Sequence, residues 1–178
     1  GGAYNRDWGE RLVQQSVRAV RRALADRQPA TWAVGSIDLQ RFIANRIRKK
    51  KPVDGRLEYL LFRREDGSRC YLVNYGAHGT ILGHANRWVS ADWPGRMQAA
   101  LEDDGSTLAL YQAGAVGSSR PVSWKVGERY LQRAREAGHP FPGKSGGRTL
   151  QRTARTIAYG ETVADRIRSD RDELTFRS

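Results

Sequence analysis

The strongest constraint on this chain is a pair of apolar runs joined by Glu65-Asp66-Gly67-Ser68. Asp-Gly between such runs signals a hairpin, because a primed turn needs positive φ, which glycine adopts without steric penalty. The residues therefore predict antiparallel strands over 57–63 and 69–76. The second strand leads into Gly76-Ala-His78-Gly-Thr-Ile-Leu-Gly-His84, a glycine-spaced loop with two of the chain's three histidines. A short Trp-Val-Ser-Ala-Asp segment (88–92) follows, and Pro94 marks the first turn of a helix. A strand that delivers a histidine into a Gly-rich loop is where α/β proteins often place chemistry. A loop histidine with no duty fits the same spacing.

The rest of the chain supplies partners for that hairpin. Val13, Val17, Val20 and Leu24 recur at helical spacing within a predicted helix over 5–28, which Pro29 stops. Strands are expected at 31–37 and 106–112, the latter so apolar that it reads as central and buried on both faces. Residues 38–56 read as a polar loop containing the one dense basic run, Arg46 to Lys51. Further helices are predicted at 94–103, 122–137 and 149–169, all packed on the sheet. After residue 69 the strand–helix alternation favours parallel neighbours. The expected fold class is α/β: one domain over 1–178, a mixed sheet with a β-hairpin, flanked by helices. Ala113-Gly-Ala-Val-Gly-Ser-Ser-Arg-Pro121 is a second candidate site, since small residues let a backbone approach a ligand closely. It lacks the Gly-Lys-Ser/Thr ending of a P-loop.

Charge and cysteine content narrow the function classes. A net charge of +12 favours an anionic surface, a membrane-peripheral contact or an acidic partner. The arginines are nevertheless spread along helices, and no RNA-binding signature, zinc-finger spacing or basic–aromatic stripe indicates nucleic acid. An arginine-rich solvated surface accounts for the same excess. Cys70 is the single cysteine, so no internal disulfide forms. No apolar run approaches membrane-spanning length, and no signal-peptide pattern opens the sequence. His139 lies in a Pro/Gly-rich loop and reads as structural or solvent-exposed.

Asn-Tyr-Gly-Ala-His-Gly-Thr (74–80), the Gly83–Asn86 loop and Val-Ser-Ala-Asp-Trp-Pro-Gly (89–95) together resemble the neutral/alkaline non-lysosomal ceramidase family. Asn45-Arg46 ahead of Pro52-Val53-Asp54 resembles a pair of words near that family's active site. The resemblance runs in order over nearly the whole chain, as a middle segment of a larger N-terminal catalytic domain. It implies a zinc-dependent amidohydrolase of the EC 3.5.1 type cleaving N-acyl sphingoid bases, with a lipid-like amide substrate and a secreted or periplasmic location. His78 falls at a zinc-ligand position; His84 does not. Arg46 falls near the active site. In the family a serine in a Gly-Asp-x-Ser-Pro type loop is the nucleophile. Alignment without a gap from Gln112 puts Ser119 there, with Ser118 second, whereas alignment on Gly114 and Gly117 puts Arg120 there. The family's aspartate is absent either way. One imidazole is an incomplete zinc set, so the resemblance implies that this chain alone is inactive. A catalytically silent basic module for an anionic partner is the other reading. The sequence leaves the oligomeric state open.

Overall fold

A computed structural model describes residues 5–84, 86–87, 89–123 and 147–178, of which 147–150 are described in backbone only. Its elements, in chain order, are α1 (Arg6–Ala25), β1 (Ala30–Asp38), a 3-10 turn (Gln40–Phe42), β2 (Ile43–Asn45), β3 (Arg56–Arg64), β4 (Arg69–Tyr75), α2 (Asp92–Leu101), β5 (Thr107–Ala113), β6 (Ser119–Pro121) and α3 (Gly147–Arg171). The main sheet has the order β1-β3-β4-β5. β3 pairs antiparallel with β1 and β4, while β4 and β5 run parallel across the α2 crossover. The predicted mixed sheet is therefore present.

The hairpin closes by a different turn from the primed one expected. Gly67 alone in this turn has positive φ, at 83°, and its N–H donates to the Arg64 carbonyl at 3.0 Å. The Ser68 carbonyl accepts from the Arg64 N–H at 2.9 Å. This is a type I turn with a glycine bulge, the three-residue solution to the same reversal. Asp66 stabilises it by accepting from the Ser68 N–H at 2.9 Å and hydroxyl at 2.6 Å.

One face of the sheet carries the core. Leu57, Tyr59, Leu61, Tyr71, Val73, Tyr75 and Ala109 point into it and are essentially solvent-free. Trp93, Met97 and Leu101 of α2, with Tyr159, Val163, Ala164 and Ile167 of α3, cover them. Burying each large side chain contributes roughly 1.5–3 kcal/mol. The two helices approach closely at Gly160. A Cβ there would lie 2.7 Å from the Trp93 carbonyl oxygen and 2.8 Å from the Met97 nitrogen.

The other face is open. Cross-strand register lines up Trp32, Phe62, Cys70 and Leu108 in one row and Val34, Leu60, Leu72 and Leu110 in the next. Val34, Leu108 and Leu110 are 57%, 52% and 46% exposed. The expectation of a central, doubly buried strand at 106–112 is thus corrected: β5 is an edge strand with one wet face. Its apolar run is continuous because the outward positions are leucines, and a run of that kind does not say whether both faces are covered.

Other expectations also change. α1 ends at Ala25, and no residue in it is buried, so the helix predicted over 5–28 does not pack on the sheet. Its N-terminus is capped, with Asn5 Oδ1 accepting from the Trp8 N–H at 2.9 Å. Residues 38–56 are not all loop, because they include the 3-10 turn and β2. α2 starts two residues earlier than expected, and α3 slightly overruns 149–169. The helix expected at 122–137 falls almost entirely outside the described residues; Val122 and Ser123 are not helical. The C-terminal tail returns to β1, where Trp32 and Arg177 exchange two backbone hydrogen bonds of 2.8 Å.

Two outcomes follow from this core. Gly160→Ala forces backbone against backbone, so it should destabilise the chain by about 1–3 kcal/mol in urea unfolding, despite the better helix propensity of alanine. Burial pushes the Tyr75 phenol up to about 12, and burial is also the first cause of the raised values of Tyr59, Tyr111 and Tyr159. The folded state holds these protons more tightly than the unfolded chain. Their stabilisation is therefore complete below the ordinary phenol value of about 10 and is lost as pH rises through the folded values. Absorbance at 295 nm should show these phenols ionising together with loss of ellipticity above about pH 10; independent, unfolding-free titration would contradict the packing.

Candidate functional site

The site is built around the point where β4 runs out. Tyr75 is the last strand residue, and Gly76 and Ala77 continue as buried backbone whose carbonyls need partners. Side chains and backbone from distant segments supply them. The Gly114 N–H donates to the Tyr75 carbonyl at 3.1 Å. The Tyr111 hydroxyl lies 2.8 Å from the Tyr75 carbonyl and 3.1 Å from that of Ala77. Burial raises its pKa, so it stays protonated and remains a donor. The Ser119 hydroxyl donates to the Gly76 carbonyl in a short bond.

Three residues singled out from the sequence, Arg46, Ser118 and Ser119, meet here. Ser119 lies in β6, which pairs with β2 so that Asn45 faces Ser119 and Ala44 faces Arg120. Directly after that pair, the Arg46 N–H donates to the Ser118 carbonyl at 2.7 Å, and Arg46 Nε donates to the Gly117 carbonyl at 3.1 Å. Arg46, Ser118 and Ser119 are thus neighbours although more than 70 positions separate Arg46 from the serines. His78 is two residues beyond the carbonyl that Ser119 holds, and it is partly buried.

The serines differ in availability. Ser119 is 1% exposed and its single hydroxyl proton is engaged, with the Val116 carbonyl a further 3.1 Å neighbour. Ser118 is only partly buried. Arg46 is exposed and opens the basic run to Lys51, whose residues are all exposed. Asn45 shapes that departure: its buried Oδ1 accepts from the N–H groups of Ile47 at 3.0 Å and Arg48 at 2.8 Å. Such a local acceptor replaces the ladder partners that the strand has just lost.

The histidine loop has its own anchor. Asp92 is buried at 8% exposure and adopts φ +52°. Its carboxylate accepts from the N–H groups of Ile81 (3.2 Å), Leu82 (2.9 Å) and Trp93 (2.8 Å), while its own N–H donates to Ser90 Oγ at 3.0 Å. Arg152 of α3 adds a bond from Nη1 to the Leu82 carbonyl at 3.0 Å. The indole N–H of Trp93 reaches the His78 carbonyl at 3.3 Å. The held loop walls a cleft of about 430 Å³ lined by Gly79, Thr80, Leu82, Gly83, His84, Asn86, Ser90 and Asp92. His84 is therefore at this cleft, and His139 lies outside the described residues.

Tyr111 and the anchoring roles of Asn45 and Asp92 were not assigned from sequence. Asp92 carried a signal: an aspartate directly before Trp-Pro at a helix start is placed to accept loose N–H groups. Tyr111 carried none, because its partners come from another strand.

Among the described residues, no three or more His, Cys, Asp or Glu side chains are grouped so that they could hold a metal ion. A catalytic zinc takes about three protein ligands. The described residues therefore do not fit a zinc by themselves.

Comparison with solved structures locates the fold. The chain superposes on the neutral ceramidase from Pseudomonas aeruginosa with a TM-score of 0.65 at 18% identity, over 88% of this chain and 25% of that one. It also superposes on a ceramidase complexed with C2, with a TM-score of 0.63 at 19% identity, over 88% of this chain and 24% of that one. The chain thus spans about a quarter of the length of each and has a ceramidase-like fold. No family model matches it, and no curated protein does.

Asp92→Ala would leave three N–H groups without their shared acceptor. It should destabilise the chain by about 2–3 kcal/mol and speed hydrogen exchange at the Ile81 and Leu82 amides, whereas Asp92→Asn, which keeps one oxygen and tolerates positive φ, should lose about half of that. Unchanged exchange in Asp92→Ala would remove the anchor role.

Proposed function

We propose that this chain forms part of the catalytic domain of a zinc-dependent amidohydrolase that cleaves the N-acyl amide of ceramide-like lipids. The supporting observation is the meeting of Arg46, Ser118 and Ser119 at the strand end that runs on into His78, within a ceramidase-like fold. In this reading His78 is one metal ligand, and the others come from residues outside those described. No step is routed through the metal, because the described residues do not complete its site.

The chain's own groups have defined tasks. Addition to an amide carbonyl needs a hydroxyl that gives up its proton. Ser119 is the first choice for the nucleophile, and to act it must turn from the Gly76 carbonyl it now holds. Ser118 is the second choice and already stands nearer the surface. Arg46, whose guanidinium bonds the Gly117 carbonyl next to Ser118, is suited to hold a substrate oxygen.

One observation favours a second reading. Arg46, Arg48, Lys49, Lys50 and Lys51 are all exposed next to the β2–β6 pair. A catalytically silent module that binds an anionic partner would use this run, with Arg120 in the place of a nucleophile.

Hydrolysis and metal binding separate the readings. The 178-residue chain alone should retain zinc weakly in equilibrium dialysis and release little fatty acid from an N-acyl sphingosine. Its complete reading frame should hydrolyse that lipid, and Ser119→Ala should lower kcat about 10²-fold or more. Full activity in Ser119→Ala would transfer the role to Ser118. Absence of hydrolysis in the unmutated complete protein would overturn the amidohydrolase reading in favour of the anion-binding one.

A further inference from the structure

The turn after β2 gathers charge around one apolar side chain. Five of the six residues from Arg46 to Lys51 are cationic, and the sixth is Ile47. From residue 39 to residue 53 the chain has no aspartate or glutamate. All six residues of the turn are exposed, Ile47 by 71%.

The turn has a fixed shape and place. Asn45 Oδ1 accepts from the N–H groups of Ile47 and Arg48, and the Lys51 N–H donates to the Arg48 carbonyl at 2.9 Å. Its first residue is tied across to the Ser118 and Gly117 carbonyls through the Arg46 N–H and Nε. The cations are therefore presented beside the candidate serines.

Their charge is left uncompensated. Several arginines elsewhere meet acids: Arg56, Arg64, Arg69 and Arg168 pair with Asp54, Asp26, Asp104 and Asp103. Among the described residues, Arg48, Lys49, Lys50 and Lys51 enter no ion pair. This limits what can cover the turn. An apolar face would strip the cations of water and return nothing, whereas a polyanionic surface supplies the missing charge.

Ile47 separates the two common polyanions. Its side chain gains by leaving water for the apolar boundary of a bilayer, and it gains nothing from a phosphodiester backbone. Residues 43–58 also carry no aromatic ring on which a base could stack. The lysines suit the same boundary, with methylene stems against the apolar layer and ammonium groups at the lipid phosphates.

We propose that the Arg46–Lys51 turn seats the chain on an anionic lipid bilayer, with Ile47 entering its surface and the flanking cations on the headgroups. The inference rests on the two functional readings for its purpose and deepens both. In the first the bilayer is where the lipid amide is met; in the second it is the anionic partner itself.

Co-sedimentation with vesicles tests it. The chain should bind phosphatidylcholine vesicles containing about one-third phosphatidylserine at least 10-fold more tightly than pure phosphatidylcholine. Salt at about 1 M should release it, because the screening length falls to about 3 Å. Each cation at such a surface strengthens binding about five-fold, so Lys49→Gln, Lys50→Gln and Lys51→Gln together should weaken it about 100-fold. Arg18→Gln, Arg21→Gln and Arg22→Gln, exposed on α1, remove the same charge and should weaken it less than about five-fold. Ile47→Ser should weaken it about three-fold or more. Circular dichroism verifies folding of each variant. Equal losses from the two triple variants overturn the proposal, since binding then follows net charge alone. No effect of Ile47→Ser, or tighter binding to single-stranded RNA than to the vesicles, overturns it in favour of nucleic acid. The complete reading frame should sediment as well; if it stays in solution, the turn is covered within the whole protein and the proposal falls. Hydrolysis plays no part in this measurement. A protein that sediments but cleaves no N-acyl sphingosine overturns the amidohydrolase reading and supports the seating.

Discussion

The indole of Trp93 is where the core and the candidate site become one object. Its ring is fully buried and meets Tyr75, Tyr111 and Tyr159 edge-on, at centroid distances of 5.9, 5.1 and 5.2 Å. Such pairs add roughly 0.5–1.5 kcal/mol each beyond the area they bury. The three tyrosines belong to β4, β5 and α3, so one side chain from α2 sets the spacing of strand, strand and helix. Its N–H then leaves the apolar cluster to hold the carbonyl of His78. Displacement of this ring would therefore reach the histidine without any substitution at the histidine itself.

Around that hub the molecule answers a recurring problem of loops, the satisfaction of buried backbone away from a ladder. Beyond Tyr75 the chain has no strand to bond with, and Tyr111, Gly114 and Ser119 act as its substitutes. Asp92 does the same for Ile81 and Leu82. Polar residues in this region are thus spent on backbone first. The engagement of Ser119 by Gly76 is the sharpest instance: the hydroxyl best placed by alignment is also a structural pin.

How much could be read in advance depended on the range of the interaction involved. The Asp66-Gly67 reversal is local chemistry, and both strands and their antiparallel pairing followed from it. The parallel β4–β5 pair followed from a strand–helix–strand order. The β2–β6 pair did not, because three residues on each side, with 73 positions between them, have no period to detect. The stripe on α1 was visible, but a stripe states only that a face is apolar, not what covers it. For the same reason the leucines of β5 suggested a buried centre where the sheet has an edge. At the site, His78, Arg46 and the serines were legible as words, while the approach of Arg46 to the serines depended on β2 meeting β6.

The bridge between Trp32 and Arg177 has a bearing on how the chain acquires this structure. β1 is an outer strand, and among the described residues its far side is bonded by the tail, at Arg177. Those bonds join residues 145 positions apart, so during synthesis β1 and its hairpin partners exist long before their cover does. An uncovered strand edge is a template for pairing with other nascent chains. Contacts of such separation also form slowly, because a long loop must close before they return any stability. Premature termination between Ala113 and Arg177 would thus leave a sheet with all four strands yet adhesive along one side.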